Sequence, residues 1–407
     1  MWYLWYNIKQ EFPIFLRHPE LVYLDNASTT QKPQSVIDAM SNYQEDSYAN
    51  IHRWVYDLSE KSELLYVWSK KKIAHLVWWD FREIIYTHNA TYASNILAQS
   101  LVQTYHIWQW DTVLIGIRDH HATIVPWQLL SKKHGFQIKF INIDKETLDI
   151  DRLWLSELMD IYKPKVICCS HVSNVTWVIY DIDRIKSLLL NHFLESFFVV
   201  DGSQAVPHMQ VDVSVLWCDA YFFTGHKILG PTGIWVLRIE KNKARQLQTL
   251  FGGGGIVQSV TTDGCSLVRT ADKFEPWTPN LIGAIGLWSA CDFYVENNIY
   301  KYIWEYEKEI NLSLMNWLSS NKQISLLWSC SILPSCGIIS FVVQDSLWFS
   351  EYLASHNICV RSWWHCAHPL LHHLGHIDGV VRISPFVYNT IQDIEYLLQV
   401  MDTYKSY

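Results

Sequence analysis

Lys227 stands in FFTGHKILGPTG (222–233), behind an apolar run and a glycine, with His226 beside it and two more glycines close after. A lysine desolvated at a strand end loses proton affinity and becomes an amine able to form a Schiff base. A surface lysine in a turn would read the same way. Asp201 ends the apolar run of VVDGSQAV (199–206), 26 residues upstream of Lys227. A carboxylate there is costly unless paired. A pyridinium nitrogen is one such partner; a helix to be capped is the plainer alternative. A Schiff-base lysine combined with an acid at the ring nitrogen is the chemistry of pyridoxal phosphate.

Other stretches carry groups that this chemistry could use. His120 and His121 in RDHHATIVPWQ (118–128) follow a strand-like run. A histidine there can stack on a ring or move protons, or it can simply open a helix. Asn174 in HVSNVTW (171–177) and Thr91 in NATYASN (89–95) fall just past strands. Thr91 is near a helix start, where backbone N–H groups hold phosphate; both residues also fit plain N-caps. Cys366 lies between His365 and His368 in VRSWWHCAHPL (360–370). An imidazolium neighbour would favour its nucleophilic thiolate. A full set of metal ligands is absent, so no metal is expected. Arg382, ending VVR, could clamp a carboxylate through two parallel bonds or make a surface ion pair.

These residues need a scaffold, and the chain spells one out. Seven short runs rich in β-branched and aromatic residues, at 83–87, 112–117, 137–143, 166–172, 197–202, 220–225 and 233–239, read as buried strands. Helix-length segments separate them, among them 182–192 behind Asp181 as a possible N-cap. The alternation predicts an α/β fold with a mostly parallel sheet, helices on both faces and ligands at the strand C-termini. After FGGGG (251–255) helices dominate (281–297 and 303–320), then strands at 337–343 and 380–386, which predicts a smaller α+β domain. The expected division is 20–265 for the large domain and 1–19 with 266–407 for the small one.

Bulk properties exclude several classes. The net charge of −8 gives no footprint for nucleic acid, and no run of about 18 apolar residues suggests a membrane span. The first residues, MWYLWYNIKQEF, lack a cationic start and a small-residue cleavage site. Nine scattered cysteines suit reduced thiols in a cytoplasm better than a disulfide framework.

The motifs together resemble the cysteine desulfurases of the class V aminotransferase group, most closely the type that serves the sulfur-mobilisation (Suf) pathway. The resemblance runs from about Phe12 to Tyr396 and includes YLDNASTTQKP, NIHRWVYDLS, RDHHATIVPWQ, HVSNVTW, VDGSQAVPH, FFTGHKILGPTG, FEPWTPN, RSWWHCAHPL and RISPFVYNT. It implies the fold type I, aminotransferase-like architecture of pyridoxal phosphate enzymes. Lys227 would carry the cofactor, Asp201 would pair with its ring nitrogen, Gln204 would reach its phenolic oxygen, and His120 would stack on the ring. Thr91, Thr224 and His226 would hold the phosphate, joined by Thr278 from the other subunit of a homodimer. Asn174 and Arg382 would fix the substrate carboxylate. Cys366 would take sulfur from L-cysteine as a persulfide, release alanine, and pass the sulfur to an acceptor protein for iron–sulfur cluster assembly. A selenocysteine lyase or cysteine sulfinate desulfinase would use the same apparatus, and a non-catalytic sulfur-transfer scaffold is the alternative from another class.

One departure is systematic. The chain holds 21 Trp but 16 Gly, where about 28 Gly would be average. Trp54, Trp110, Trp177, Trp217, Trp235, Trp277, Trp288 and Trp363 stand where the resembled family favours glycine, and Trp328 and Trp364 could join them. So many indoles in tight loops would overpack the fold, at roughly 1–3 kcal/mol for each buried site, and block the site. A UGA codon read as glycine in the cell and as tryptophan on paper would write this sequence. The alternative is a diverged or degraded protein whose tryptophans are genuine.

Overall fold

The computed structural model describes residues 8–52, 55–192, 195–321, 324–327 and 336–404. Its centre is a seven-stranded sheet: β1 (Ile84–Thr87), β2 (Thr112–Gly116), β3 (Gln137–Ile141), β4 (Val166–Ser170), β5 (Phe197–Asp201), β6 (Ala220–Thr224) and β7 (Trp235–Ile239). The spatial order is β1-β7-β6-β5-β4-β2-β3, and only β7 runs antiparallel to its neighbours. All seven expected strands form, most of them shorter than the apolar runs that announced them.

Alternate residues of each strand enter opposite cores. Ile85, Val113, Val166, Val199, Phe222 and Leu237 pack on one face. Ile84, Leu114, Ile167, Val200, Phe223 and Val236 pack on the other. A sheet covered on both faces needs apolar residues at every position, which is why these strands read as unbroken runs.

The covering helices include α1 (Gln34–Asp46), α2 (Asp57–Leu76), α3 (Ala90–Thr104), α4 (His121–His134), α5 (Ile182–Asn191), α6 (Leu281–Glu296), α7 (Ile299–Ser320), α8 (His368–Leu374) and α9 (Ile391–Thr403). Side chains cap the starts of α3, α4, α5, α6 and α9, with Asp181 in the place the sequence suggests. Asn89 accepts from the Tyr92 amide at 2.7 Å, and Asp181 from that of Arg184 at 3.0 Å. The α4 cap is His120, whose Nδ1 accepts from the Ala122 amide at 3.0 Å. Helix α6 packs against α1 and α2.

A second, antiparallel sheet holds β8 (Ser325–Leu326), β9 (Ile339–Val342), β10 (Arg361–Trp363) and β11 (Val380–Ile383), in the order β8-β9-β11-β10. Its edge strand β10 runs straight into the segment bearing Cys366. Arg361 lies opposite Arg382 in the β10–β11 register. Facing guanidinium groups repel, and Asp25 bridges them, at 3.1 Å from Arg382 and 3.5 Å from Arg361. Among the described residues no helix is long and apolar enough to cross a membrane.

Candidate active site

The parallel strands β2, β4, β5 and β6 end at one edge of the sheet, and their exit loops carry His120, Asn174, Gln204 and Lys227. The small sheet supplies Arg361, Cys366 and Arg382 from the opposite side. One cavity is lined by Thr91, His120, Asn174, Asp201, Gln204, Thr224, His226, Lys227, Cys366 and Arg382, together with Ser28, Ser203, Trp235, Arg361 and His365. Every expected site residue except Thr278 is there; Thr278 is exposed outside it.

Burial sets the charges. It pushes the Lys227 amine down to about 8, while Asp201 pulls the other way. It holds the Asp201 carboxyl above the usual range, opposed by the Ser203 hydrogen bonds and by Lys227. Asp201 accepts from the Ser203 amide at 2.9 Å, and a cation beside its carboxylate would offset the cost of its burial. Burial and then Lys227 push His120 down to about 3, so it is a neutral ring. Its Nδ1 accepts the Ala122 amide, which leaves the proton on Nε2.

Arg382 is anchored in the floor of the site, with Nε left without a partner among the described residues. It donates to the Asn174 carbonyl at 3.0 Å and to Asp25 at 3.1 Å. Asn174 in turn donates to the His365 carbonyl at 2.7 Å. The two residues expected to fix a carboxylate thus also tie the thiol segment to the large sheet.

The donor set fits pyridoxal phosphate. Gln204 Oε1 and Thr224 Oγ1 are buried, line the cavity and have no hydrogen-bond partner among the described residues. Such orphans are expensive and mark places a ligand would satisfy. Gln204 is aimed by its other end, where Nε2 donates to the Ala27 carbonyl at 2.7 Å. Thr91 sits in the first turn of α3, and the cavity thereby offers a helix N-terminus for a phosphate.

Two expectations change. An imidazolium neighbour was expected to favour the thiolate, with His365 one of the two candidates. Burial, and then the Arg382 charge, hold His365 well below the usual histidine range, so it stays neutral. The cations that feel Cys366 are instead Lys227 and Arg382. The expected overpacking by tryptophan, and the blocked site, are also not what the structure has. Trp110, Trp217 and Trp363 are 87%, 69% and 49% exposed, and the cavity remains open with Trp235 as part of its wall. Trp235 stacks on His226 at 4.9 Å, and Trp277 lies tilted against His88 at 5.1 Å. Trp288 donates to Asp292 at 2.6 Å within α6. The strain lies in the backbone instead: Trp177, Trp217 and Trp363 have φ of 49°, 53° and 92°. Trp54 and Trp328 lie outside the described residues.

Sequence reasoning passed over Arg361, Ser28, Asp25 and Ser203. Arg361 opens the same motif that drew attention to Cys366, so its signal was present. Asp25 and Ser28 come from a segment far away in the chain, and only folding brings them here.

The Aminotransferase class-V family matches residues 22–397. The chain is 32% identical over 397 residues to a probable cysteine desulfurase of Xylella fastidiosa, covering 96% of this chain and 93% of that one. It is also 32% identical over 402 residues to a probable cysteine desulfurase of Vibrio cholerae, covering 96% of both. Among solved structures, the apo cysteine desulfurase of Thermococcus onnurineus superposes with a TM-score of 0.90 at 31% identity, over 97% of this chain and 96% of the other.

Proposed function

The chain belongs to the class-V aminotransferase family and is a pyridoxal-phosphate-dependent cysteine desulfurase, and from that premise we propose how its own residues divide the work. The observation that carries the assignment is one cavity holding a desolvated lysine, a buried carboxylate and a cysteine open to solvent. When bound, pyridoxal phosphate supplies an electron sink for bond breaking at the substrate's α-carbon. Lys227 would hold its aldehyde carbon, Asp201 its ring nitrogen, Gln204 its phenolic oxygen, and His120 one ring face. Thr91, Thr224 and His226 would take the phosphate.

Arg382 and Asn174 bind and orient the carboxylate of L-cysteine. Lys227 Nζ, with its proton affinity lowered by burial, moves the proton at the α-carbon. Cys366 Sγ accepts the substrate sulfur. The balance is L-cysteine plus Cys366–SH giving L-alanine plus Cys366–S–SH: one C–S bond breaks, one S–S bond forms, and a proton is delivered to the β-carbon.

The finer reading is a homodimer of the Suf type, in a cytoplasm, that hands sulfur to a dedicated acceptor for cluster assembly. Thr278, exposed and outside its own cavity, would serve the partner's phosphate site. Residues 20–265 form the cofactor-binding unit, and 1–19 with 266–407 the unit carrying the thiol. The test is L-cysteine with the cofactor-loaded protein, measuring alanine and the mass of the Cys366 peptide. Alanine with one added sulfur on that peptide is expected. In Cys366→Ala the cofactor absorbance should persist while alanine from cysteine is lost; full alanine formation by that variant would overturn the role given to Cys366.

A further inference from the structure

Cys366 forms part of two cavities. Inside is the cofactor cavity; outside is a groove lined by His121, Arg361, Trp363, Trp364, Cys366 and His368. His121 and His368 line only the outer one. They are joined there. The His368 amide donates to His121 Nε2 at 3.3 Å, and His368 Nδ1 approaches the same nitrogen at 3.1 Å. Accepting an amide N–H requires a lone pair on His121 Nε2. The ring–ring bond must then be donated by His368 Nδ1–H, which leaves His368 Nε2 as the basic nitrogen.

The surroundings give the His368 ring partners at Nδ1 and on its face. Its bond to His121 becomes charge-assisted when His368 carries a proton. Its ring also stacks with Trp364 at 4.7 Å and 18°, with His121 near-parallel at 4.8 Å and 25°. An indole face favours a cation held over it. The pair is tied to the nucleophile, because the His121 amide donates to the Cys366 carbonyl at 2.9 Å.

We propose that His368, backed by His121 and Trp364, is the proton acceptor for the second half of the reaction, in which sulfur leaves Cys366 for an outside thiol. The outside R–SH gives its proton to His368 Nε2. The thiolate attacks the terminal sulfur of Cys366–S–SH, a new S–S bond forms between the outside sulfur and that terminal sulfur, and the Cys366 S–S bond breaks. The released Cys366 thiolate takes the proton back, giving R–S–SH and Cys366–SH without net oxidation.

This rests on the desulfurase reading, and the two fail differently. With the loaded enzyme, the first-turnover burst of alanine reports the inner half, and steady turnover with dithiothreitol as the probe thiol reports the outer half. His368→Gln should leave the burst unchanged and slow thiol-dependent turnover by about 100-fold. Added imidazole should restore part of the turnover of His368→Ala. Unchanged turnover in His368→Gln, or a burst that slows in step with it, would overturn the proposal. No burst in the unsubstituted enzyme would sink the desulfurase reading itself.

A different observation carries a second inference. Among the described residues thirteen non-glycine residues have left-handed φ, and four of them are tryptophans: Trp78, Trp177, Trp217 and Trp363. Glycine supplies four more such positions, no more than tryptophan does. Each site has a local reason to want no Cβ. Trp78 is at the position just past the α2 cap Val77, and the Trp79 amide closes on the Ala74 carbonyl at 2.7 Å. That is the Schellman end, where glycine is the usual left-handed residue. Trp217 is the left-handed C-cap of the short helix Val213–Leu216. Trp177 lies in the tight return between the bridged Val172 and Ile179. Trp363 ends β10 with φ of 92°, the largest of the non-glycine left-handed values and well beyond the αL well that side chains tolerate.

The geometry points to glycine at these four positions in the protein the cell makes. Trp78 joins the set on backbone grounds alone. Trp127 is the control, buried within α4 and outside the left-handed set. The test is peptide mass spectrometry of the chain purified from its own cells, beside the codons of its gene. Glycine masses at the four, with UGA codons, and tryptophan at Trp127 are expected. Tryptophan masses at the four would overturn the inference. Neither outcome depends on activity.

Discussion

The cofactor end of the cavity and the thiol segment are built in opposite ways. Asp201 and Thr224 end strands paired on both sides, and Lys227 follows within one turn. Cys366 sits past an edge strand, in a run where Trp363, His365 and Cys366 all have left-handed φ. That run is held by hydrogen bonds to distant segments: Asn174 donates to the His365 carbonyl and His121 to the Cys366 carbonyl, while Trp364 of the run donates to the Ile377 carbonyl at 3.0 Å. The contrast teaches where each job belongs. Bond breaking needs groups fixed on rigid elements. A nucleophile that must face the substrate and then an outside acceptor sits on a strained segment whose ties come from both sides.

The comparison breaks most sharply at Lys227. Lys227→Ala should lower alanine formation by about 100-fold or more while the fold, read by circular dichroism, is kept. Near-normal turnover would remove the rigid end from the chemistry. Arg382→Lys tests the tie between the two ends. A lysine cannot reach both Asp25 and the Asn174 carbonyl, so KM for cysteine should rise about 10-fold, more than kcat falls. An effect confined to kcat would mean that Arg382 positions the thiol and not the substrate.

A smaller and smoother effect follows from the buried amine. Only neutral Lys227 reacts with the cofactor aldehyde, and burial lowers its titration to about 8. Loading of stripped protein should therefore quicken about tenfold per pH unit below that point and level off above it. A rate still climbing near the ordinary lysine range would contradict the burial. The smallest effect concerns strain. Trp217→Gly relieves a left-handed residue that is 69% exposed, so unfolding should cost about 1 kcal/mol more. Trp110→Gly, at a position 87% exposed and outside the left-handed set, should give no gain. Equal shifts in the two midpoints would remove backbone strain as the distinguishing feature.

By itself the sequence determined the scaffold and half of the site. Apolar runs of strand length, bounded by helix-length spacers, dictated the seven strands, because a sheet covered on both faces tolerates nothing else. Lys227, Asp201 and His120 were legible because each follows such a run by a fixed short offset, and strand ends are where this fold places ligands. Tertiary structure alone decided what depends on distant segments meeting. It brought Cys366, Arg382 and Asp25 to the ends of β4–β6, and no local pattern records that meeting. It made His365 neutral, since burial sets a protonation state and a neighbour in sequence does not. It also moved the cost of the tryptophans from packing to φ, because three of the four left-handed ones, Trp78, Trp217 and Trp363, found room at the surface while their backbones stayed where a glycine belongs.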